Sequence, residues 1–304
     1  MYPLGGDPRS FYSRQSDLTD PGKQAHMYED LPLAVSGIVR VVQGLIVQSN
    51  ADLGYGAAPG KEPSQEADTR RVERILERIL ERIQELQRQP LVESYSPERH
   101  LVGRSRDHAV LLTSMLRHRG IPARARCGFA RYMRPEMHYA RWVCEYWQER
   151  EMRWVIVDAA LPDEAAHSLH PIRFDPLDVP HTQFLRAGKA WQMCRIWRAD
   201  PRRFGQHTGN RGLCYVAAQL VRDLAGLNKV EMLANDTWGL AHTAFDYLWE
   251  HDLRLLDRVA HVTLAGNEAF SELRALYEME ARLRVPAVIN SYVNDTLQAE
   301  YLVA

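Results

Sequence analysis

The chain has 304 residues, 45% of them hydrophobic and 25% charged, which is typical of a soluble protein with a hydrophobic core. Its formal net charge of −1 gives no global field that would recruit nucleic acid or a membrane surface. The sequence contains no run of about 18 apolar residues, so we predict no membrane span.

The first 95 residues predict an arm followed by helices. Residues 1–24 are rich in Gly, Pro, Ser and Asp, which favours an irregular arm. Apolar residues recur at helical spacing from Leu33 to Gln48, and Glu73 to Gln87 forms an amphipathic pattern with Arg–Glu pairs at i,i+3. We therefore assign residues 25–95 to a helical N-terminal part.

The centre of the chain, residues 96–165, predicts one buried helix followed by an antiparallel meander. The helix runs from Ser105 to Arg119, with Gly120 as its C-terminal cap. Enrichment in Trp, Tyr, Val and Ile predicts strands at 123–129, 140–147 and 153–158.

The second half predicts a connection and then more helices. Residues 166–209 are rich in proline and histidine, and residues 210–304 read as mostly helical, packed as one domain with the centre. The run from Arg222 to Lys229 either lines a cleft or belongs to a capped, buried helix.

Three motifs of the centre, GRSRDHAVLLTSMLRHRGIPARARCGF, RWVCEYW and RWVIVDAAL, resemble those of the bacterial transglutaminase-like superfamily, a papain-type family with a Cys-His-Asp triad. The resemblance covers about residues 95–165. It implies an α+β fold, in which a papain-like, transglutaminase-like core (a helix packed on an antiparallel sheet) carries helical N- and C-terminal extensions.

The resemblance also implies where the family chemistry would lie. A thiol at a helix start is easier to ionise, a histidine on a neighbouring strand takes its proton, and an acid orients the imidazole. Residue-by-residue matching puts Ser105 at the cysteine position, Arg141 at the histidine position and Asp158 at the acid position. Two of the three positions are therefore altered.

Three interpretations of Ser105 stay open: a nucleophile, a helix N-cap, or an engineered replacement of cysteine. A serine nucleophile needs a base. His138 lies three residues before Arg141, hence on the opposite strand face unless a loop or bulge intervenes after the neighbouring proline. His108 lies one helical turn after Ser105 and on its face.

Arg141 either lies on a strand surface or pairs with Asp158 and binds an anion such as a carboxylate or phosphate. Arg104, Arg106 and Trp142 are the other candidates for substrate binding. Asp158 either orients an imidazole or caps the turn after its strand.

A metal site is not predicted, because the histidines and aspartates of the connection match no zinc spacing. They are His167, His170, His181, Asp163, Asp175 and Asp178. We likewise predict no cofactor, no nucleic acid partner and no membrane partner. The absence of a secretory signal and of paired cysteines predicts a cytoplasmic protein.

Two functions are compatible with these residues. In the first, the protein binds or acts on a small, anionic or peptide-like substrate, with non-standard acyl transfer or amide hydrolysis at Ser105. In the alternative, it is a catalytically inactive pseudoenzyme that serves as a ligand- or protein-binding module.

Overall fold

The computed structural model describes residues 6–48, 75–87, 90–92, 100–134, 136–161, 172–206, 209–242, 247–293 and 296–302. The helices of these ranges are α1 (Pro8–Tyr12), α2 (Val35–Leu45), α3 (Leu76–Gln87), α4 (Ser105–His118), α5 (Ala187–Arg195), α6 (Leu213–Leu227), α7 (Glu250–Ala265) and α8 (Phe270–Met279). The strands are β1 (Ile46–Gln48), β2 (Leu101–Gly103), β3 (Ala123–Arg134), β4 (Met137–Gln148), β5 (Arg153–Val157), β6 (Phe184–Arg186), β7 (Phe204–Gly205), β8 (Asp236–Thr237), β9 (Val288–Val293) and β10 (Thr296–Tyr301). Within these ranges, no helix has both the length and the apolar character needed to cross a membrane.

The chain divides into two compact units whose segments alternate along the sequence. Unit 1 comprises Met1–Tyr12, Arg124–Trp142 and Pro180–Ala304, and unit 2 comprises Ser13–Ala123 and Val143–Val179. Strand β4 therefore contributes its first residues to unit 1 and its last residues to unit 2.

Unit 2 is built around α4, whose apolar side chains are buried among those of α2, α3 and the second half of β4. The predicted helix Ser105–Arg119 is confirmed with an end one residue earlier. The end of β4 pairs antiparallel with β5, with Tyr146 opposite Val155, as the meander predicts. β1 and β2 form a parallel pair beside the start of α4.

Unit 1 combines a sheet with helices α5–α8. β3 lies between the first part of β4 and β6, and β7 pairs in parallel with β4. Helix α6 is buried along nearly its whole length. The run from Arg222 to Lys229 thus belongs to a buried helix and its end, as one of the two interpretations predicts.

Several elements differ from the sequence predictions, each for a tertiary reason. The irregular arm contains α1, because Phe11 and Tyr12 are buried against Phe270 of α8. The helix predicted up to Gln48 ends at Leu45, since the next three residues pair with β2.

Two further differences lie in the second half of the chain. The proline-rich connection contains a helix, α5, and the C-terminal part, predicted to be mostly helical, ends in the antiparallel hairpin β9–β10, which β8 extends. The pairing of β8 with β9 joins segments distant in the sequence, such as Asp236 and Ser291, which a local pattern does not reveal. The hairpin β9–β10 is a local feature that the helical interpretation of this part missed. The predicted boundaries at residues 24, 95, 165 and 209 stay predictions.

Candidate functional site

Helix α4 begins at the residue that matches the family cysteine. Arg104, in extended conformation, is the N-cap residue, and its backbone N–H donates to Oδ2 of Asp107 at 2.9 Å. Ser105 is thus the first helical residue, and the prediction that it caps the helix is wrong. The Asp107 carboxylate stabilises the helix start both by this bond and by its charge.

Gly103 fixes the approach of the chain to this helix start. A Cβ at this position would lie 2.7 Å from Cγ2 of Ile46 and 3.2 Å from Oδ2 of Asp107. Only glycine therefore lets β2 pass so close to β1 and to the first turn of α4. Ser105, which follows two residues later, is buried.

His108 is held by backbone carbonyl groups at both ring nitrogens. Nδ1 lies 3.0 Å from the carbonyl oxygen of Arg104, and Nε2 lies 3.0 Å from that of Ile46 in β1. Carbonyl oxygens only accept hydrogen bonds, so the ring donates to one of the two carbonyls when it is neutral and to both only as an imidazolium. The buried imidazole therefore ties the first turn of α4 to β1.

The two arginines that flank Ser105 have different surroundings. Arg104 is exposed, whereas Arg106 is buried, with Nη1 3.3 Å from Oδ1 of Asp107. Of the two predicted ligand-binding residues, only Arg104 is accessible to solvent, while Arg106 is part of the packed helix start.

Asp158 follows β5 and is buried. Its Oδ1 accepts the N–H of Ala160 at 3.1 Å, its own N–H donates to the carbonyl of Pro176, and its carbonyl accepts the N–H of Leu161. The predicted role as a turn cap is confirmed. Its role as the orienter of an imidazole stays a prediction.

His138 lies in β4, not in a loop, because the strand begins at Met137 and pairs with β7 from its second residue. Its ring packs edge-on against Phe204, with centroids 4.6 Å apart, and Nδ1 has no hydrogen-bond partner among the described residues. Burial, with added repulsion from the Arg131 and Arg203 guanidinium groups, lowers the pKa of His138 to about 4. The ring is therefore neutral near pH 7.

Arg141 and Trp142 follow on β4, and both are buried. The Trp142 indole packs directly on α6, since a Cβ at Gly226 would lie 3.2 Å from its Cζ3 atom. In a regular strand Trp142 shares a face with His138, and Arg141 points to the opposite face. The ligand-binding roles of Arg141 and Trp142, and the pairing of Arg141 with Asp158, stay predictions.

The mixed helices and antiparallel strands agree with the predicted α+β class, and residues 58–159 match the family model of the transglutaminase-like superfamily. The chain carries a transglutaminase-like core. Ser105, Arg141 and Asp158 all lie inside the matched residues, which confirms the resemblance that the three motifs carry.

One solved structure is similar to part of the chain. It is the crystal structure of a candidate cysteine protease from Cytophaga hutchinsonii, with 17% identity and a TM-score of 0.30, and the match covers 50% of this chain and 42% of that one. The similarity thus spans less than half of that protein. No curated protein sequence matches the chain.

A buried ion pair that no sequence motif indicated joins β3 to α6. Nε and Nη2 of Arg126 in β3 each donate to the Asp223 carboxylate of α6 at 2.8 Å, and the backbone N–H of Cys127 donates to the same carboxylate. The Cys127 thiol lies 2.8 Å from Oε1 of Gln219, and burial raises its pKa. This thiol is therefore a packed donor and not a nucleophile.

The candidate metal ligands of the connection lie only partly in the described residues. Asp178 forms an ion pair with Arg153, and Asp175 accepts the backbone N–H of Leu177. Asp163, His167 and His170 lie outside the described ranges. Among the residues that the structure describes, no three His, Cys, Asp or Glu side chains cluster as metal ligands would.

Proposed function

We propose that this protein binds a small anionic ligand in its transglutaminase-like core and does not carry out the thiol acyl transfer of the family. The proposal begins from the matching of Ser105 and Arg141 to the cysteine and histidine positions. A serine hydroxyl is hardly ionised near neutral pH, so it attacks a carboxamide only when a base removes its proton.

The hydrogen bonds of His108 carry the proposal. His108 is the histidine on the same helix face as Ser105, and both of its nitrogens are directed at carbonyl oxygens 3.0 Å away. The nitrogen that donates to one of these carbonyls already carries a proton, and the other nitrogen directs its lone pair at a carbonyl oxygen, so neither is well placed to accept a proton from serine. His108 therefore supports the helix and not the chemistry.

His138, the other histidine considered as a base, supports the same conclusion. Its ring packs on Phe204, and its pKa of about 4 makes it a weak base near pH 7. A general base works best when its pKa lies near the working pH, so this imidazole is poorly suited to activate Ser105.

The ligand class follows from Arg141, which is 3% exposed, so we propose that the anion binds it inside the core and not at the surface. A guanidinium presents a rigid fork of donors that matches the oxygens of a carboxylate or phosphate. Arg104, which is exposed at the N-cap of α4, is a separate candidate cation. A small anion with a carboxylate or phosphate group is the ligand that suits the Arg141 guanidinium.

A thermal-shift titration with inorganic phosphate and with succinate tests the binding. At ten times its Kd, such a ligand raises the free energy of unfolding by about 1.4 kcal/mol. We expect Arg141→Ala to abolish this increase and Arg40→Ala, an exposed arginine on α2, to retain it. If the ligand stabilised Arg141→Ala as much as it stabilises the wild type, Arg141 would not be a ligand-binding residue.

A fluorophosphonate probe tests the absence of serine chemistry, since it labels activated serines. We expect no labelling of the wild type. Labelling that disappears in Ser105→Ala would show that Ser105 is a nucleophile. The function would then be hydrolysis or acyl transfer and not ligand binding.

Restoring the two family residues tests the matching itself. In a Cys214→Ser background, which removes the half-buried thiol, we expect Ser105→Cys alone to alkylate slowly at neutral pH, because burial disfavours the thiolate at this position. Adding Arg141→His should create a thiol that reacts at neutral pH. If the second change leaves the rate of alkylation unaltered, the assignment of Arg141 to the histidine position is wrong.

A further inference from the structure

Three helices end in the same hydrogen-bond pattern, the Schellman motif, in which two backbone amides beyond the helix bond back to its last turn. The amide pairs belong to Gly120 and Ile121 after α4, Trp197 and Arg198 after α5, and Lys229 and Val230 after α6. The first residue of each pair has a left-handed backbone, with φ of +73° at Gly120, +59° at Trp197 and +64° at Lys229.

Glycine is the usual residue at this position, because a side chain in the left-handed region clashes with the following carbonyl. Gly120 follows the rule. Lys229 departs from it for a visible reason, since its side chain is 4% exposed and its Nζ lies 4.3 Å from the centre of the Phe11 ring. The packing and the cation–π contact offset the strain at Lys229.

Trp197 departs from the rule and makes no comparable contact with the residues that the structure describes. Its side chain is 93% exposed, the highest value among the large hydrophobic residues of the described chain. A tryptophan here strains the backbone and exposes apolar surface, so folding alone favours glycine. Residues held in strained conformations cluster at binding sites, which makes Trp197 a candidate for an intermolecular contact.

The surface beside Trp197 is open and basic. Residues 197–202 line a shallow groove of about 370 Å³ that is widely open to solvent. Within it Asp200 is neutralised by an ion pair with Arg202 at 2.9 Å, whereas the exposed Arg198 makes no ion pair with the described residues. Ile196, 58% exposed, continues the apolar surface beside the indole. We call Ile196, Trp197 and Arg198 the Trp197 face.

We propose that the Trp197 face is a docking site for an acidic segment of another protein that carries an apolar side chain. The indole and Ile196 provide the apolar contact, and Arg198 provides the charge that selects a carboxylate. Exposed tryptophan and arginine are the residue types that dominate binding energy at protein interfaces.

A membrane surface fits this face less well. Electrostatic adsorption to anionic lipid uses clusters of about four to eight Lys and Arg residues, whereas Arg198 is the cation without an ion pair in this groove. The net charge of −1 adds no long-range attraction.

The test uses the full chain and three fluorescein-labelled peptides. The first has the sequence Gly-Glu-Leu-Glu-Glu-Leu-Glu-Gly, the second has Gln for every Glu, and the third has Ala for every Leu. By fluorescence anisotropy we expect the first to bind at least tenfold more tightly than either of the others. Vesicles with 30% phosphatidylserine should not bind.

Four variants assign the binding to the Trp197 face. Glycine and asparagine both tolerate a left-handed backbone. Trp197→Gly and Trp197→Asn should therefore lower the affinity for the first peptide at least tenfold, and Arg198→Glu should do the same. Met152→Gly is the matched control, because Met152 is also exposed with φ of +52° but lies in the β4–β5 turn. It should bind as the wild type does.

Three results would overturn the proposal. They are undiminished binding by folded Trp197→Gly and Trp197→Asn, absence of wild-type binding to all three peptides at about 1 mM, and Trp197-dependent binding to the vesicles in place of the peptide. The last result would assign the face to a membrane. A rise in the melting temperature of Trp197→Gly verifies that the variant is folded and that the strain has been released.

Discussion

Protonation of His138 should destabilise the folded protein in mildly acidic solution. The ring is 8% exposed against Phe204, and its pKa falls to about 4, while the unfolded chain has the ordinary value of ~6.5. Because the folded pKa is the lower one, the unfolded state binds the proton first as the pH falls. The stability is full above pH ~6.5 and decreases down to pH ~4.

The magnitude follows from the two pKa values. Each pH unit inside this window costs about 1.4 kcal/mol, so the loss from pH 7 to pH 5 is about 2 kcal/mol for this one group. His138→Leu keeps a similar volume and removes a buried nitrogen that has no hydrogen-bond partner among the described residues, so we expect little change in stability at pH 7.

Urea unfolding at pH 7 and pH 5, followed by circular dichroism, measures the effect. The difference in unfolding free energy between His138→Leu and the wild type should grow by about 2 kcal/mol at pH 5. His261 is exposed on α7, so His261→Leu is the control that measures how the loss of a surface histidine changes the free energy of unfolding. A difference that stays constant with pH would refute the argument that the His138 ring is buried in its neutral form.

Other perturbations test the buried network and the helix ends. Asp223→Asn should cost about 3–5 kcal/mol in urea unfolding, because it leaves the Arg126 guanidinium buried without its partner; a cost below 1 kcal/mol would contradict the pair. Gly120→Ala should lower the free energy of unfolding by about 1–2 kcal/mol, whereas Trp197→Gly should raise it by about 0.5–1 kcal/mol, as strain relief exceeds the added chain entropy. If both substitutions changed the free energy of unfolding in the same direction, the left-handed backbone conformation would not be the cause of these stability changes. Iodoacetamide at pH 8 should label Cys214 in the folded chain but not the three buried cysteines; mass spectrometry of the peptides identifies the sites.

Local patterns were sufficient for the elements that surround the candidate site. The helix α4 and the hairpin of β4 and β5 have clear apolar periodicity and a closing Gly120, and the structure confirms them within a few residues. The three motifs also predicted the family, because they combine these elements with the residues at fixed positions in them.

The contacts that define the candidate site could not be read from the sequence. His108 was placed on the Ser105 face by its spacing, yet its nitrogens bond to Arg104 and to Ile46, which lies 62 positions away. Arg126 and Asp223 are 97 positions apart. The N-cap is Arg104 and not Ser105, because the close packing of Gly103 on β1 sets where the helix begins.

The alternation of the two units along the chain sets the order in which a ribosome can complete them. Unit 2 has all its residues once Val179 has been made, whereas unit 1 needs α1 together with segments near residue 304. The Tyr12 hydroxyl donates to the carbonyl of Leu227, and the Phe11 ring contacts Phe270. At about 5–20 residues per second, residues 180–270 take roughly 5–18 s to synthesise after unit 2 has all its residues. Until then the Phe11 and Tyr12 side chains lack Phe270, and chaperones that bind apolar segments have time to reach them.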